Sequence, residues 1–182
     1  IQFVFSLFMD AAIIGTTILA AQYWGKGDAR AVEKIQANTL RLSCLTGAFF
    51  CVAALTVPEF LMRMFTPDET LIGLGASYLR IVSFSYLCSG FSQIMLCVMK
   101  NTGRTLRSTV YGSVPVALNV GLNAVLIFGL LGFPEMGIKG ASVATVIARV
   151  TEMILVLWEN KRFKEVRLHI QDLLHGDRVL FR

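Results

Sequence analysis

The sequence predicts an all-α membrane protein: a bundle of five transmembrane helices followed by a C-terminal amphipathic helix. The 182 residues are 55% hydrophobic and only 16% charged, whereas ordinary soluble domains have about 25% charged residues. The run Ser108–Pro134 holds 27 residues without a charge. At about 1.5 Å of rise per residue, such a helix is long enough to cross a hydrocarbon core of about 30 Å. Lys and Arg residues are concentrated in alternate connections between the apolar runs.

Five apolar runs define the predicted transmembrane region, residues 1–158. They cover residues 1–24, 36–58, 71–99, 108–133 and 140–158, and are called spans A to E. Every backbone polar group in a bilayer needs an internal partner, so each span must be helical. Gly25 and Gly27 interrupt the pattern after span A, and Asp28 is a suitable N-cap for the next helix. Residues 58–70 contain two prolines and several charges, which predicts a loop with a short helical turn at 60–62.

The distribution of Lys and Arg predicts the topology. The A–B connection with the polar start of span B up to Arg41, the C–D connection and the tail contain four, three and six of them, whereas the B–C and D–E connections contain one each. This is the positive-inside bias, and it places the first three segments in the cytoplasm and residue 1 outside. Trp24 and Trp158 fall at predicted cytoplasmic ends, where aromatic belts form. Residue 1 is not Met and already lies in an apolar run. We therefore expect a missing span upstream, in a multi-pass protein of the cell (inner or plasma) membrane.

The tail, residues 159–182, has apolar residues at helical spacing among many basic ones. This pattern predicts an amphipathic helix on the cytoplasmic leaflet, with its basic groups near anionic headgroups. A solvated linker helix is the alternative. The net charge of +5 does not indicate a nucleic-acid partner, because the basic residues follow the membrane connections.

Several kinds of site and function are poorly supported by the sequence. The four cysteines lie inside apolar runs without CxxC spacing, which argues against a disulfide framework and against a zinc site. No nucleotide-binding loop, His-based metal cluster or Ser/His/Asp arrangement occurs in the sequence. We therefore predict that the chain is not an enzyme, and that its partners are membrane lipid and a small-molecule substrate.

Span D carries the strongest candidate site. Asn119 and Asn123 are four residues apart, so they share one helix face. An unpaired amide in hydrocarbon costs several kcal/mol, so both side chains should face a cavity or a neighbouring helix. They either line a substrate or ion pathway or serve as hydrogen-bonding contacts between helices. Pro115 lies in the same span and should kink it.

Span E carries the second candidate. Thr145, Arg149 and Glu152 follow one stripe, and Arg149 and Glu152 are spaced to form an i, i+3 ion pair. Charged residues inside a span usually face the bundle interior or water. Both lie toward the predicted cytoplasmic end, so Arg149 could instead extend to the interface. A row of small residues beginning at Gly140 predicts close packing with another helix.

Weaker signals come from spans C and A. Ser89 and Gln93 belong to a mildly polar stripe that suits a wet lumen, although serines can also bond to their own helix. Asp10 is a lone charge in span A that either titrates in the pathway or lies at the outer interface. The complete set of predicted pathway residues is Asn119, Asn123, Ser89, Gln93, Thr145, Arg149, Glu152 and Asp10.

Several stretches together resemble one family of membrane proteins. They are Ala20–Asp28, Tyr78–Ile81, Lys100–Thr105, Asn119–Gly129 and Gly137–Glu152. In this order they resemble helices two to six in the N-terminal lobe of the multidrug and toxic compound extrusion (MATE) family of efflux transporters. The resemblance covers nearly the whole chain, and it identifies the tail as the start of the linker between lobes.

The resemblance implies twelve helices in two six-helix lobes, of which this chain would supply part of one. It also implies antiport, in which cationic or amphipathic compounds leave in exchange for Na⁺ or H⁺. In some members a carboxylate on the first helix works with an Asn-x-x-x-Asp motif on the fifth. Asn119 matches that asparagine, but Asn123 stands in the place of the aspartate and cannot exchange a proton. Arg104 stands where the family often has an acidic residue.

The resemblance leaves two alternatives to drug export. Flippases of lipid-linked saccharides share the architecture. The chain could also be an inactive truncated transporter or a membrane scaffold, because half a transporter does not enclose a full pathway. The first helix and the second lobe of the same protein would be its missing partners.

Overall fold

The computed structural model describes residues 1–129 and 134–162, which form six helices and no strand. These are α1 (Gln2–Gly25), α2 (Ala29–Thr56), α3 (Pro58–Arg63), α4 (Glu69–Asn101), α5 (Thr105–Phe128) and α6 (Gly137–Arg162). All except α3 are long and apolar enough to cross a membrane. The predicted all-α bundle of five membrane-spanning helices is confirmed. The predicted helix in the tail lies, from residue 163 onward, outside the described residues.

The second helix begins earlier than the sequence pattern suggested. Span B was placed at 36–58, but α2 starts at Ala29, directly after the glycine-containing turn. The Asp28 side chain caps this start, because its Oδ1 accepts a hydrogen bond from the Ala31 amide at 2.9 Å. Val32 and Ile35 are buried in the first turns, so this polar, basic segment still has one core-facing side.

Two further helix ends have clear local causes. The α5 helix ends at Phe128, and Gly129 adopts a left-handed conformation with φ of 65°. Glycine takes this conformation at little cost and is a common helix stop. The predicted turn at 60–62 belongs to α3, which has Pro58 at its start, where a missing amide proton is tolerated.

The centre of the bundle is α4, which contacts all five other helices. In the membrane-length segment of α4, 61% of the residues are buried, compared with 11% in that of α5. An aromatic group fixes α1 and α2 against it. The ring of Phe5 lies 4.9 Å from that of Tyr86 and 5.5 Å from that of Phe50, measured between centroids. The polar stripe predicted on span C therefore belongs to the most buried helix.

The outer surface of the bundle is apolar on every long helix. Exposed large hydrophobic side chains include Phe3 on α1, Phe49 on α2, Phe84 on α4, Val120 on α5 and Ile154 on α6. Soluble monomers rarely expose apolar surface on this scale. Such a surface is suited to contact with lipid chains.

Close packing of α5 against α6 depends on Gly140. A Cβ atom at this position would lie 2.7 Å from the backbone oxygen of Leu126, which is closer than real Cβ contacts allow. Ala144 and Ala148 continue the row one and two turns later, and both are buried. The small-residue row therefore brings the polar stripes of α5 and α6 within reach of each other.

Candidate functional site

A cavity of about 280 Å³ lies between α5 and α6, beside the beginning of α1 and the first turns of α4. Its lining includes Gln2, Tyr78, Pro115, Asn119, Thr145 and Arg149. Complete pockets for drug-sized ligands have volumes of about 300–1,000 Å³, so this cavity is large enough for the polar end of such a molecule. Three of the predicted site residues therefore line one cavity.

A chain of hydrogen bonds runs from Asn123 to the backbone of α6. Asn123 Nδ2 donates to Asn119 Oδ1 at 3.1 Å. Asn119 Nδ2 donates to Thr145 Oγ1 at 3.5 Å, and Thr145 Oγ1 donates to the Ala141 carbonyl at 2.9 Å. The two asparagines predicted to share a face therefore connect α5 to α6. The 3.5 Å contact is at the long end of hydrogen-bond distances, so the Asn119 amide is only loosely held by Thr145.

One atom in this row of hydrogen bonds has no hydrogen-bond donor among the described residues. Asn123 Oδ1 is buried and accepts no hydrogen bond from the described residues. A buried acceptor without a donor costs about 1–3 kcal/mol. The carboxamide pair is therefore not fully accounted for by contacts between α5 and α6 within the described chain.

Arg149 and Glu152 form the predicted ion pair within one helix. Arg149 Nη1 lies 2.7 Å from Glu152 Oε2, and the side chains are 32% and 4% exposed. Arg149 is twelve residues from Gly137 and thirteen from Arg162, near the middle of α6. The cavity that Arg149 lines also includes Gln2 at the start of α1 and Tyr78 on α4, and its position toward the cytoplasmic end stays a prediction.

The remaining predicted residues lie elsewhere. Ser89 and Gln93 are joined to each other on α4, with Gln93 Nε2 donating to Ser89 Oγ at 3.3 Å, and neither lines the cavity. Asp10 is on an exposed face of α1. The structure therefore brings together the residues of spans D and E but leaves those of spans A and C apart from them.

Sequence reasoning missed a second polar cluster, centred on Glu159. Its Oε1 accepts hydrogen bonds from Arg104 Nη1 at 3.0 Å and Arg107 Nη1 at 2.7 Å, and its Oε2 accepts one from Tyr111 Oη at 2.8 Å. The Glu159 side chain is 1% exposed. The sequence contains one signal for this cluster, because Glu159 is an acidic residue at the start of the basic tail. Its partners could not be identified from it, since they lie 48 to 55 positions away in sequence.

This cluster fixes the last turn of α6 to the α4–α5 connection. Next to it, the Arg162 guanidinium lies over the Trp158 ring at 4.3 Å. The basic C–D connection and the basic end of span E therefore lie at the same end of the bundle. The cavity lies toward the other end, where α1 and α4 begin.

A bundle of five apolar membrane-length helices, with a polar cavity and an Arg–Glu pair among them, is typical of membrane transport proteins. The comparison with protein families agrees, because the model of the MatE family matches residues 1–125. The chain belongs to the MATE family of multidrug efflux transporters.

Relatives support this family, and solved structures show the same fold. The "Probable multidrug resistance protein NorM" of Thermotoga maritima is 30% identical over 141 residues, covering 76% of this chain and 30% of that protein. The "Multidrug resistance protein PmpM" of Pseudomonas aeruginosa is 28% identical over 139 residues, covering 76% of this chain and 29% of that protein. A solved structure, "Crystal structure of MATE in the bent conformation", has a TM-score of 0.85 at 21% identity over 99% of this chain and 40% of its own. That likeness shows the fold, and the chain spans about a third of the length of these curated relatives.

Proposed function

We propose that this chain is part of a secondary antiporter, which exports cationic or amphipathic compounds in exchange for Na⁺ or H⁺. The family and the multidrug resistance proteins among its relatives support export of such compounds. The chain contributes spans A to E of the N-terminal lobe, and the first helix and the second lobe complete the pathway. The inter-lobe linker begins at the end of α6.

The observation that carries this proposal is the Asn123–Asn119–Thr145 chain beside the cavity. Amide groups in an apolar bundle are costly, and their presence at a cavity indicates a polar ligand. The Asn123 carboxamide does not ionise near neutral pH, so it cannot carry a coupling proton. In this lobe the carboxamides therefore position a ligand, and proton exchange, if H⁺ is the coupling ion, takes place at another group of the full protein.

The proposed topology is that of a multi-pass cell-membrane protein with residue 1 outside and the end of α6 in the cytoplasm. The basic connections support it, because the C–D connection and the end of span E lie at one end of the bundle. The cavity then lies in the outer half of the membrane.

Efflux of a fluorescent drug from cells that express the full-length protein tests the function, with Na⁺ and pH varied separately. Asn123→Leu removes the donor to Asn119 Oδ1 but leaves an apolar side chain of similar size. We expect insertion to be normal and efflux to fall by about fivefold or more, the equivalent of one hydrogen bond.

The matched control is Ser113→Leu on the same helix. Ser113 is exposed, and its hydroxyl bonds to the Thr109 carbonyl of its own helix at 2.8 Å. This variant should export at the wild-type rate. Equal efflux by wild type and Asn123→Leu would contradict the pathway role of the carboxamides.

A further inference from the structure

We propose that the end of the bundle around Glu159 carries a surface that binds the headgroup of an anionic phospholipid, with Arg162 as its main contact and Arg107 beside it. The inference goes beyond the proposed function and does not depend on it. The surface belongs to the side of α6 that faces away from Thr145, and therefore away from the contact between the polar faces of α5 and α6.

The first argument is the position of Arg162. Its guanidinium lies over the Trp158 ring at 4.3 Å from the centroid. Trp158 is 50% exposed, and Arg162 is exposed as well. Tryptophan at the end of a membrane span lies at the level of the lipid headgroups. A guanidinium placed on an aromatic ring still has N–H groups for a phosphate, which it binds through charge-assisted hydrogen bonds. The indole therefore holds a phosphate-binding group at the depth of the lipid phosphates.

The second argument is the apolar stripe that leads to this pair. Ile154, Trp158 and Arg162 are spaced by four residues, so they follow one face of α6. Ile154 is 57% exposed and lies about 12 Å from Arg162 along the helix axis. It is nine residues from Thr145, or about two and a half turns, so the stripe faces away from Thr145. An exposed apolar stripe that ends in a positive charge matches an acyl chain and its anionic headgroup.

The third argument is the charge at this end of the bundle. The described residues 100–111 and 154–162 contain five basic side chains and one acidic side chain, Glu159. Glu159 is 1% exposed and accepts three hydrogen bonds, so its charge is not presented at the surface. Arg107 is 62% exposed and contacts Glu159, the residue after Trp158, at 2.7 Å. It therefore adds a second exposed positive charge at the same level, and basic residues near the membrane surface attract anionic lipids.

Tryptophan fluorescence tests which lipid contacts this surface. In the full-length protein, every tryptophan except Trp158 is replaced by phenylalanine, and the protein is reconstituted into vesicles of phosphatidylcholine with a varied fraction of phosphatidylglycerol. One of the two lipids has dibrominated acyl chains, which quench an indole on contact. We expect Trp158 to prefer phosphatidylglycerol by about fivefold or more, the effect of one basic residue near an anionic headgroup. Both leaflets have the same composition, so the result does not depend on orientation or on transport.

Three variants locate the source of the preference. Arg162→Gln removes the charge and should reduce the preference to about twofold or less. Arg162→Lys keeps the charge and should keep most of the preference. Arg80→Gln is the matched control, because Arg80 is exposed and pairs with exposed Glu59 at 3.6 Å in the first half of α4. It removes the same charge and should leave the preference of the wild type unchanged.

Three results would overturn the inference. The first is equal quenching by brominated phosphatidylglycerol and brominated phosphatidylcholine in the wild-type sequence around Trp158. The second is an equal loss of preference in Arg162→Gln and Arg80→Gln, which would show that only net charge matters. The third is an absence of quenching by either lipid, which would show that another part of the full-length protein covers Trp158. Loss of the preference in Arg162→Gln alone supports the surface.

Discussion

Replacing Glu159 by glutamine should destabilise the bundle more than any other single change of a carboxylate in the described residues. The carboxylate accepts hydrogen bonds from Arg104, Arg107 and Tyr111 at 2.7 to 3.0 Å and is 1% exposed. Glutamine has one acceptor oxygen instead of two, and its NH₂ group would face a guanidinium or the tyrosine hydroxyl. The variant also leaves Arg104, whose side chain is 16% exposed, without its negative partner in this cluster.

The magnitude follows from this geometry. Removing one partner of a buried ion pair typically costs about 3–5 kcal/mol. Water reaches the exposed Arg107 side of the cluster, so we expect the lower end, about 3 kcal/mol. A loss of 1 kcal/mol lowers the unfolding midpoint by about 2–4 °C in a domain of this size. The expected decrease is therefore about 6–12 °C.

Buried cysteines provide the assay. Cys51 and Cys97 are 6% and 5% exposed, so in a background with exposed Cys44 and half-buried Cys88 replaced by alanine, a thiol-reactive fluorogenic maleimide should label them only as the bundle opens. Full-length wild type and variant are heated in detergent at one scan rate. The matched control is Glu59→Gln, because Glu59 is exposed and pairs with exposed Arg80 at 3.6 Å. Exposed pairs contribute about 0–1 kcal/mol, so this control should unfold near the wild-type midpoint. If both variants have the same unfolding midpoint as the wild type, the Glu159 cluster does not hold α6 in place.

Two further predictions concern packing and topology. Gly140→Val should lower the unfolding midpoint in the same assay, at a cost of about 1–3 kcal/mol, because its Cβ would meet the Leu126 backbone at 2.7 Å. Gly73→Val is the control, because a Cβ there would meet nothing within 4 Å. Similar midpoints for the two variants would show that close packing at Gly140 is not required. A cysteine at Lys26, in a variant without the native cysteines, should resist an impermeant thiol reagent in intact cells, whereas one at exposed Met64 should react. Labelling at position 26 would reverse the topology.

Helix existence could be predicted from sequence because it depends on local properties. The long uncharged runs and the helix cap at Asp28 are set by neighbouring residues. The Arg149–Glu152 pair is equally local, since residues three apart meet on any helix. Boundaries were less predictable: α2 starts at Ala29, because its polar first turns still have a buried face.

The site was only partly predictable, because helical period shows which residues share a face but not what that face contacts. The stripe containing Ser89 and Gln93 resembled the face with Asn119 and Asn123. The first belongs to α4, which is surrounded by other helices. The second lines a cavity with α6 through Asn119, and Asn123 bonds to Asn119 behind it.

The sequence alone determined the number of membrane helices, the family resemblance, and the polar faces of spans D and E, because these depend on composition and on neighbours within one helix. Tertiary structure decided which polar faces meet. The close approach of α5 and α6 at Gly140 creates the contact between Asn119 and Thr145. Folding of the chain brings Arg104 to Glu159 across 55 residues. Contacts between distant residues are set by how helices pack around α4, and no local pattern specifies that packing.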